Sequence, residues 1–230
     1  MASWAENWTD KMANSKTRSL KAFEAEAGVA FTGQGSPPID FYSPFGPLIA
    51  KTRLPESLVE QVNRYADQVV SSDQSMEFIL PEDVVVSGGE DSVAQQTANL
   101  IKRYLVGVEN TVVKDVMFET FWIVSQYAGT PSPVHFHSGD ISGVLYLKIP
   151  QLDNEPYEES LTYISGRQAG HINFLTGGKQ WLSKTLISFK PEVGDLYVFP
   201  GWLLHGSEPF RGTGERRSMA FNAFATIHEL

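Results

Sequence analysis

The sequence predicts a mainly β jelly-roll barrel with supporting helices in its N-terminal part. From about residue 111 onward, short runs of β-branched and aromatic residues alternate with Gly and Pro, which is typical of the strands of a sandwich or barrel. The runs number eight, as a jelly roll requires. They cover residues 112–126, 134–137, 142–149, 171–175, 184–189, 195–199, 203–207 and 217–225.

The chain length suits a single domain. At 230 residues and 25.5 kDa, it is expected to fold around one core. We assign residues 111–230 to the barrel and residues 1–110 to a leader and supporting helices of the same integrated domain. Residues 9–27 are polar and rich in Ala, Lys and Glu, which favours a peripheral helix.

Two further helices are predicted between the leader and the barrel. Pro55 opens a stretch in which apolar residues recur at helical spacing up to about residue 69, as in an amphipathic helix packed on a core. Residues 91–105 repeat the pattern, and Gly107 follows them as a candidate helix-ending glycine. Both helices are expected to support the barrel.

Composition excludes several classes of site and partner. A net charge of −9 and a pI near 5.0 argue against nucleic acid as a partner, because phosphate binding normally needs a basic surface. The chain contains no cysteine, so disulfides and thiolate metal sites are excluded. We find no secretory signal pattern and no apolar run of about 20 residues that could span a membrane. A cytoplasmic location is therefore expected.

Three histidines are candidate metal ligands. His135 and His137 lie two apart in a predicted strand, so their side chains should leave the same face with Cα atoms about 6–7 Å apart. His205 stands at the far end of a later apolar strand. Imidazole nitrogens suit Fe(II), Zn, Cu or Ni. The alternative is that His135 and His137 are ordinary polar residues on an exposed strand face.

Arg216 and Ser218 form a candidate carboxylate receptor at the start of the last predicted strand. They should face the same way because side chains alternate along a strand. A planar guanidinium offers a carboxylate two parallel hydrogen bonds, which a lysine cannot reproduce. The alternative is that Glu215, Arg216 and Arg217 form only a solvated charge patch.

Three segments together resemble the 2-oxoglutarate/Fe(II)-dependent dioxygenases. The segments are Val-His-Phe-His-Ser-Gly-Asp-Ile-Ser-Gly-Val-Leu-Tyr-Leu from residue 134, Phe-Pro-Gly-Trp-Leu-Leu-His-Gly from residue 199, and Glu-Arg-Arg-Ser-Met-Ala-Phe-Asn from residue 215. The resemblance covers residues 112–226 and is greatest to a branch whose substrates are unassigned. It implies a double-stranded β-helix, the cupin-like form of the jelly roll. It also implies a metal triad, an Arg-x-Ser that binds 2-oxoglutarate, and a tyrosine at the position of Tyr146.

One position departs from the usual pattern of that superfamily. The second metal ligand is usually Asp or Glu, whereas this chain has His137 there. The branch with His-x-His favours His135, His137 and His205 as the ligands. Asp140 is the rival third ligand, because a turn after His137 would bring its carboxylate within reach. His171 and His228 are not expected to bind metal.

The resemblance implies an oxidoreductase with Fe(II), 2-oxoglutarate and O2 as cofactors and co-substrates. Such an enzyme couples decarboxylation of 2-oxoglutarate to succinate with oxidation, by default hydroxylation, of a second substrate. The sequence does not identify that prime substrate, which is a protein side chain or a small molecule. The alternatives are a non-catalytic jelly-roll binding module and a cupin-like metal isomerase or hydrolase, and neither would turn over 2-oxoglutarate.

The segment 151–170 carries four carboxylates together with turn-forming residues. Long polar loops in compact domains tend to be functional or disordered. We interpret it as a lid facing the substrate, where its charge would favour a cationic or polar substrate. The alternative is a solubilising surface loop.

Overall fold

The computed structural model describes residues 39–42, 46–70, 74–109, 112–153, 169–177 and 185–228, and the statements below concern these residues. Three α-helices are present: α1 (Glu56–Val69), α2 (Glu82–Val86) and α3 (Val93–Glu109), with a 3-10 turn at Gly89–Asp91. The strands are β1 (Asp40–Tyr42), β2 (Ile49–Arg53), β3 (Met76–Ile79), β4 (Val112–Gln126), β5 (Ser132–His135), β6 (Ile141–Lys148), β7 (Gln151–Leu152), β8 (Ile172–Leu175), β9 (Leu186–Phe189), β10 (Asp195–Pro200), β11 (Leu204–Ser207), β12 (Gly212–Thr213) and β13 (Arg216–His228).

Two antiparallel sheets form the barrel. The large sheet has seven strands in the order β1-β2-β10-β6-β13-β4-β3, and the small sheet has four in the order β5-β11-β8-β9. Several neighbouring strands, such as β2 and β10 or β13 and β4, are distant in sequence, as the crossovers of a jelly roll require. A third pair, β12 and β7, adds a short ribbon. The predicted mainly β jelly-roll fold is confirmed.

The outer face of the large sheet packs against the helices. Helix α1 buries one apolar stripe, formed by Leu58, Val59, Val62 and Ala66, as its helical spacing predicts. This stripe and the apolar face of α3 join alternate residues of the large sheet in one core cluster. The sheet residues of that cluster include Phe121, Ile123, Leu145, Met219 and Phe221.

The inner face of the large sheet looks toward the small sheet. Residues that alternate along the strands with those of the first cluster contribute to a second core cluster there. This second cluster contains Ile49, Tyr146, Ile172, Phe174, Tyr197, Phe199 and Leu203. Tyr146 therefore points inward, as its alternation with Leu145 and Leu147 predicts. Because both faces of β6, β10 and the first part of β13 are covered, β6 and β10 are buried almost throughout and β13 is largely buried up to Ala223. The inner face is the one that can carry a site.

Several predicted boundaries are wrong by a few residues. Strand β5 ends at His135, so His137 follows the strand and does not lie in it. Helix α3 continues through Gly107 to Glu109. Gly107 lacks the positive φ of a helix-ending glycine, since it is not among the residues with that conformation.

The sequence did not reveal β1, β2, β3 or α2. Strand β2 pairs with β10 and β3 pairs with β4, so the N-terminal part adds strands as well as helices to the barrel. The helix predicted over residues 9–27 lies outside the described residues, as do residues 154–168 of the proposed lid. No described helix is long and apolar enough to cross a membrane. The expected cytoplasmic location and the domain division stay predictions.

Candidate active site

The three predicted histidines converge between the two sheets. Strands β5 and β11 pair so that His205 lies directly opposite His135. The ring centroid of His135 lies 4.5 Å from that of His205 and 4.9 Å from that of His137. The ring centroids of His137 and His205 are 5.1 Å apart. One ring nitrogen from each residue lies within 4.8 Å of the others. This spacing allows one metal ion to contact all three.

Backbone carbonyls orient two of the imidazoles. Nδ1 of His135 lies 2.7 Å from the carbonyl oxygen of Pro133, and Nδ1 of His205 lies 2.8 Å from that of Leu203. A carbonyl oxygen can only accept, so Nδ1 donates in each case. Nε2 of both rings therefore keeps its lone pair, which is the arrangement found around most histidine metal ligands.

Burial keeps two of the rings neutral. Desolvation, together with the charges of His135 and His137, lowers the pKa of His205 to about 4, although the hydrogen bond with Leu203 opposes the shift. Burial, followed by the charge of His135, lowers the pKa of His137 to about 4. The ring of His137 also packs edge-on against Trp122, with centroids 5.5 Å apart. Neutral imidazole is the form that binds metal, so this set of nitrogen donors fits Fe(II).

The rival ligand lies outside this cluster. Asp140 is exposed, and its carboxylate oxygen accepts a hydrogen bond from the backbone N–H of Ala225 at 3.1 Å. His171 is also separate, with Nδ1 3.2 Å from the carbonyl oxygen of Ala169. The side chain of His228 lies outside the described residues. Among the described residues the geometry thus favours the three-histidine set, whose role as ligands stays a prediction.

A cavity of about 460 Å³ opens beside the histidines. Its wall includes all three imidazoles on one side and Tyr146, Ser207, Ser218 and Gln126 on the other. Ser218 is the cross-strand partner of Tyr146, so both side chains leave the inner face of the large sheet together. The cavity therefore joins a metal-binding side to a side rich in hydroxyl groups.

Arg216 lies at the hydroxyl-rich end and is 2% exposed. Its Nε and Nη2 donate to Oε1 of Gln126 at 3.1 and 2.6 Å, and its Nη1 donates to the carbonyl oxygen of Glu208 at 2.9 Å. The guanidinium also stacks on Phe210, 5.6 Å from the ring centroid. These acceptors are neutral, and no carboxylate pairs with Arg216 in the part of the chain that the structure describes.

The charge of Arg216 has no carboxylate counter-ion among the described residues. Burial lowers the pKa of its guanidinium, since no ion pair offsets the desolvation. Burial raises the pKa of the Tyr146 hydroxyl, which the charge of Arg216 and a hydrogen bond with Ser207 partly oppose. A neutral tyrosine and a serine can donate to an incoming carboxylate beside the arginine.

Arg216 itself does not form the cavity wall, whereas Gln126 does. The amide of Gln126 stands between the cavity and the guanidinium and occupies its bidentate edge. Sequence analysis missed this residue. It is the cross-strand partner of Arg216 at the end of β4, a relation that only the strand register reveals.

Arg217 confirms that the two neighbouring arginines have separate roles. Its Nε and Nη2 donate to both carboxylate oxygens of Glu215 at 2.6 and 2.8 Å, and its Nη1 donates to Asp67 of α1 at 2.8 Å. Arg217 is 1% exposed and lies on the outer face. The alternative of a solvated charge patch is wrong, because both arginines are buried.

Comparison with known proteins agrees with this geometry. Residues 120–222 match the family described as "Putative 2OG-Fe(II) oxygenase". The structure of HygX from Streptomyces hygroscopicus, solved with nickel and 2-oxoglutarate bound, is 14% identical with a TM-score of 0.51, over 79% of this chain and 83% of that one. The viral collagen prolyl hydroxylase of Paramecium Bursaria Chlorella virus-1 is 17% identical with a TM-score of 0.49, over 76% of this chain and 94% of that one.

No curated protein matches the chain. The likeness to HygX shows that the fold is shared. The family match is more specific, because residues 120–222 include the three histidines, Tyr146, Arg216 and Ser218. Over this core segment, the chain is similar to the 2-oxoglutarate/Fe(II)-dependent oxygenases.

Proposed function

We propose that the protein is a hydroxylase in which His135, His137 and His205 hold Fe(II) and Arg216, Ser218 and Tyr146 bind 2-oxoglutarate. The observation that carries the proposal is a cavity lined by three clustered imidazoles and by Tyr146, Ser218 and Gln126, with the buried Arg216 hydrogen-bonded to Gln126 and without a carboxylate partner among the described residues. Iron, 2-oxoglutarate and O2 together supply the oxidising chemistry, with succinate and CO2 as products. The prime substrate receives the oxygen.

The histidines contribute a preorganised metal site. The carbonyls of Pro133 and Leu203 hold two rings by their Nδ1 atoms, so the opposite nitrogens face the same point without a rearrangement of the backbone. Because neutral rings have no extra proton to release, metal binding near pH 7 does not require their deprotonation. Three neutral ligands leave the charge of Fe(II) uncompensated, which favours dianionic 2-oxoglutarate as the next ligand.

The other end of the cavity recognises the far carboxylate of 2-oxoglutarate. Ser218 and Tyr146 are directly accessible from the cavity. Arg216 becomes accessible when the side chain of Gln126 rotates away from the guanidinium. The co-substrate then replaces one neutral acceptor of the guanidinium by an anionic one. Charge-assisted hydrogen bonds are about twice as strong as neutral ones, so the exchange favours binding.

Metal binding tests the first half of the proposal. Purified protein reconstituted under anaerobic conditions should bind one Fe(II) per chain. His205→Ala and His135→Ala should lose most of this affinity, whereas His171→Ala, a histidine outside the cluster, should retain it. Unchanged stoichiometry and affinity in the first two variants would show that the proposed site is wrong.

A matched pair of variants decides the third ligand. Asp140→Asn keeps an oxygen that can accept from the N–H of Ala225, so the local fold should survive. If His137 is the ligand, His137→Ala should weaken Fe(II) binding sharply and Asp140→Asn should not. The opposite pattern would restore the two-histidine, one-carboxylate arrangement.

Co-substrate turnover tests the second half. With O2 and ascorbate as the reductant in place of a prime substrate, the iron-loaded protein should convert 2-oxoglutarate slowly to succinate, at a rate that falls in His205→Ala. Succinate formation separates an oxygenase from a binding module and from a metal isomerase or hydrolase. A protein that binds iron but never consumes 2-oxoglutarate would be one of those two.

A further inference from the structure

A second, shallower groove continues from the cavity along strand β3. It measures about 380 Å³ and shares Glu77, Trp122 and His137 with the cavity wall. Its own wall adds Phe78, Ile79, Thr120 and Asn222. The groove therefore begins beside a proposed metal ligand and ends at the edge of the large sheet, where a second substrate can enter.

Two polar groups in this groove lack hydrogen-bond partners in the described structure. Asn222 is 7% exposed, and its Oδ1 accepts from the hydroxyl of Ser142, which fixes the orientation of the amide. Its Nδ2 donates to no group in the part of the chain described here. Thr120 is the cross-strand partner of Asn222, and its Oγ1 is buried and likewise unpaired among the described residues.

A buried polar group in a folded protein nearly always has a partner, so the hydroxyl of Thr120, with the Nδ2 group of Asn222 beside it, points to a ligand. The Nδ2 of Asn222 can only donate, whereas the hydroxyl of Thr120 can accept. A ligand that satisfies both presents an acceptor and a donor side by side. An amide group does so, with its carbonyl oxygen toward Asn222 and its N–H toward Thr120.

Glu77 adds a charge to the same groove. Its carboxylate is exposed and makes no ion pair with any described residue. Register places Glu77 opposite Val124 and its neighbour Ile79 opposite Trp122, so the carboxylate and the indole share one face of the sheet. A carboxylate beside an aromatic ring is suited to an ammonium or guanidinium group.

The position of β3 favours a polypeptide over a small molecule. Strand β3 is the last strand of the large sheet on this side, and among the described strands it pairs only with β4. The outer edge of such a strand can receive an extended peptide through main-chain hydrogen bonds. An amide-binding pair next to an open strand edge is consistent with that mode of binding.

We propose that the prime substrate is a basic polypeptide segment, with a backbone amide bound by Thr120 and Asn222 and a Lys or Arg side chain held by Glu77. This inference rests on the proposed function, because it assigns the substrate of the same site. Asn222 and Thr120 would position the segment beside His137, and Glu77 would select its charge.

Thr120→Val is the sharpest test, because it removes one hydroxyl and keeps the shape. The probe is a pool of acetylated, amidated heptapeptides that each carry one lysine, with binding measured on metal-loaded protein and 2-oxoglutarate in the absence of O2. Loss of one hydrogen bond should weaken pool binding by about 5- to 10-fold. Thermal stability should not fall, because the hydroxyl has no partner to lose. Lower stability with unchanged peptide affinity would overturn the role of Thr120.

Glu77 variants test the charge preference. Glu77→Gln should reduce the preference for the lysine pool over a matched norleucine pool by about 2- to 5-fold, the range expected for one exposed ionic contact. Glu77→Lys should instead prefer a glutamate pool. Glu60→Gln, an exposed glutamate on α1, is the matched control and should change neither preference. Equal effects of Glu77→Gln and Glu60→Gln would overturn the proposed role of Glu77.

The binding and turnover experiments distinguish a failure of the substrate assignment from a failure of the proposed oxygenase function. If the wild-type protein binds iron and releases succinate but discriminates among none of the pools, the inference fails and the oxygenase assignment stands. If 2-oxoglutarate is neither bound nor consumed, the proposed function fails and the inference falls with it. Binding of acetyl-lysine methylamide as tightly as the heptapeptides would overturn the polypeptide assignment.

Discussion

Arg216 and Arg217 are adjacent on β13, yet they face opposite sides of the large sheet. Both are buried, at 2% and 1% exposure. Arg217 is neutralised by Glu215 and Asp67, whereas the hydrogen bonds of Arg216 to described residues go to the side-chain oxygen of Gln126 and a backbone carbonyl. The two sites thus hold the same group at the same depth with different electrostatic compensation.

The difference separates a structural ion pair from a ligand receptor. On the outer face, the carboxylates belong to the chain, and α1 is tied to the sheet through Asp67. On the inner face, no carboxylate of the described residues compensates Arg216, and the proposed 2-oxoglutarate would supply one. A buried charge without a counter-ion is costly to a protein, which is consistent with that proposal.

Removal of Arg217 should have the largest effect on folding. Arg217→Ala removes two charge-assisted hydrogen bonds from the nearly buried Glu215, which keeps Ser125 and the more distant Lys148, so the free energy of unfolding should fall by about 2 kcal/mol. Urea denaturation of the metal-free protein measures this loss. The remaining folded protein should bind 2-oxoglutarate with unchanged affinity. A loss below about 1 kcal/mol would place the pair among weak surface salt bridges.

Removal of Arg216 should act mainly on the co-substrate. Charge-assisted hydrogen bonds contribute roughly 1.5–3 kcal/mol each, so Arg216→Ala should weaken 2-oxoglutarate binding by about tenfold to several hundredfold. Calorimetry on the metal-loaded protein measures this change, and Fe(II) affinity should stay nearly constant. If Arg216→Ala and Arg217→Ala weaken co-substrate binding equally, the two faces do not differ as described.

Gln126→Glu should make the inner face resemble the outer one. The new carboxylate would pair with Arg216 through the contacts that the amide now makes. 2-Oxoglutarate would then have to displace an ion pair, and its affinity should fall by about tenfold, or about 1.4 kcal/mol. Unchanged affinity would mean that Arg216 does not contact the co-substrate. Gln126→Met serves as the control without the charge.

The histidine cluster and the ion pairs on the outer face of the large sheet should affect the stability of the protein in different ranges of pH. His137 and His205 have a pKa of about 4 in the folded protein and about 6.5 when unfolded, so the unfolded chain binds more protons between these values. The metal-free protein should therefore lose stability as the pH falls from 6.5 to 4. Bonds to Lys148, and then to Arg217, lower the pKa of Asp67 below 3.8, so its contribution is lost at still lower pH.

Denaturation curves at pH 7, 5.5, 4 and 3 distinguish these ranges. His205→Gln should reduce the loss of unfolding free energy between pH 6.5 and 4. Asp67→Asn should reduce the loss of unfolding free energy below pH 4. Fe(II) should also flatten the upper range, because a bound ring cannot take up a proton. A His205→Gln profile that follows the wild-type profile would contradict the burial of that imidazole.

Much of the site was predictable because each of its motifs is local. Alternation along β6 and β13 identified the inward side chains Tyr146, Arg216 and Ser218, since the strand period of two requires no knowledge of the partner strands. His205 was predictable as the polar residue after a long apolar run, but it lies in β11 of the small sheet and not at the end of the apolar strand β10. The spacing of apolar residues likewise identified α1 and the eight strands of the barrel.

The rest depended on which strands become neighbours. The pairs Arg216 with Gln126 and Asn222 with Thr120 join β13 to β4, whose partners lie about 90–100 residues apart in the sequence. No local pattern encodes that register, and β3 was too short and too polar to be recognised before its pairing with β4 was known. Local periodicity thus determined which residues face the cavity. Only the tertiary structure decided which of them lack a partner, because pairing depends on contacts between distant strands.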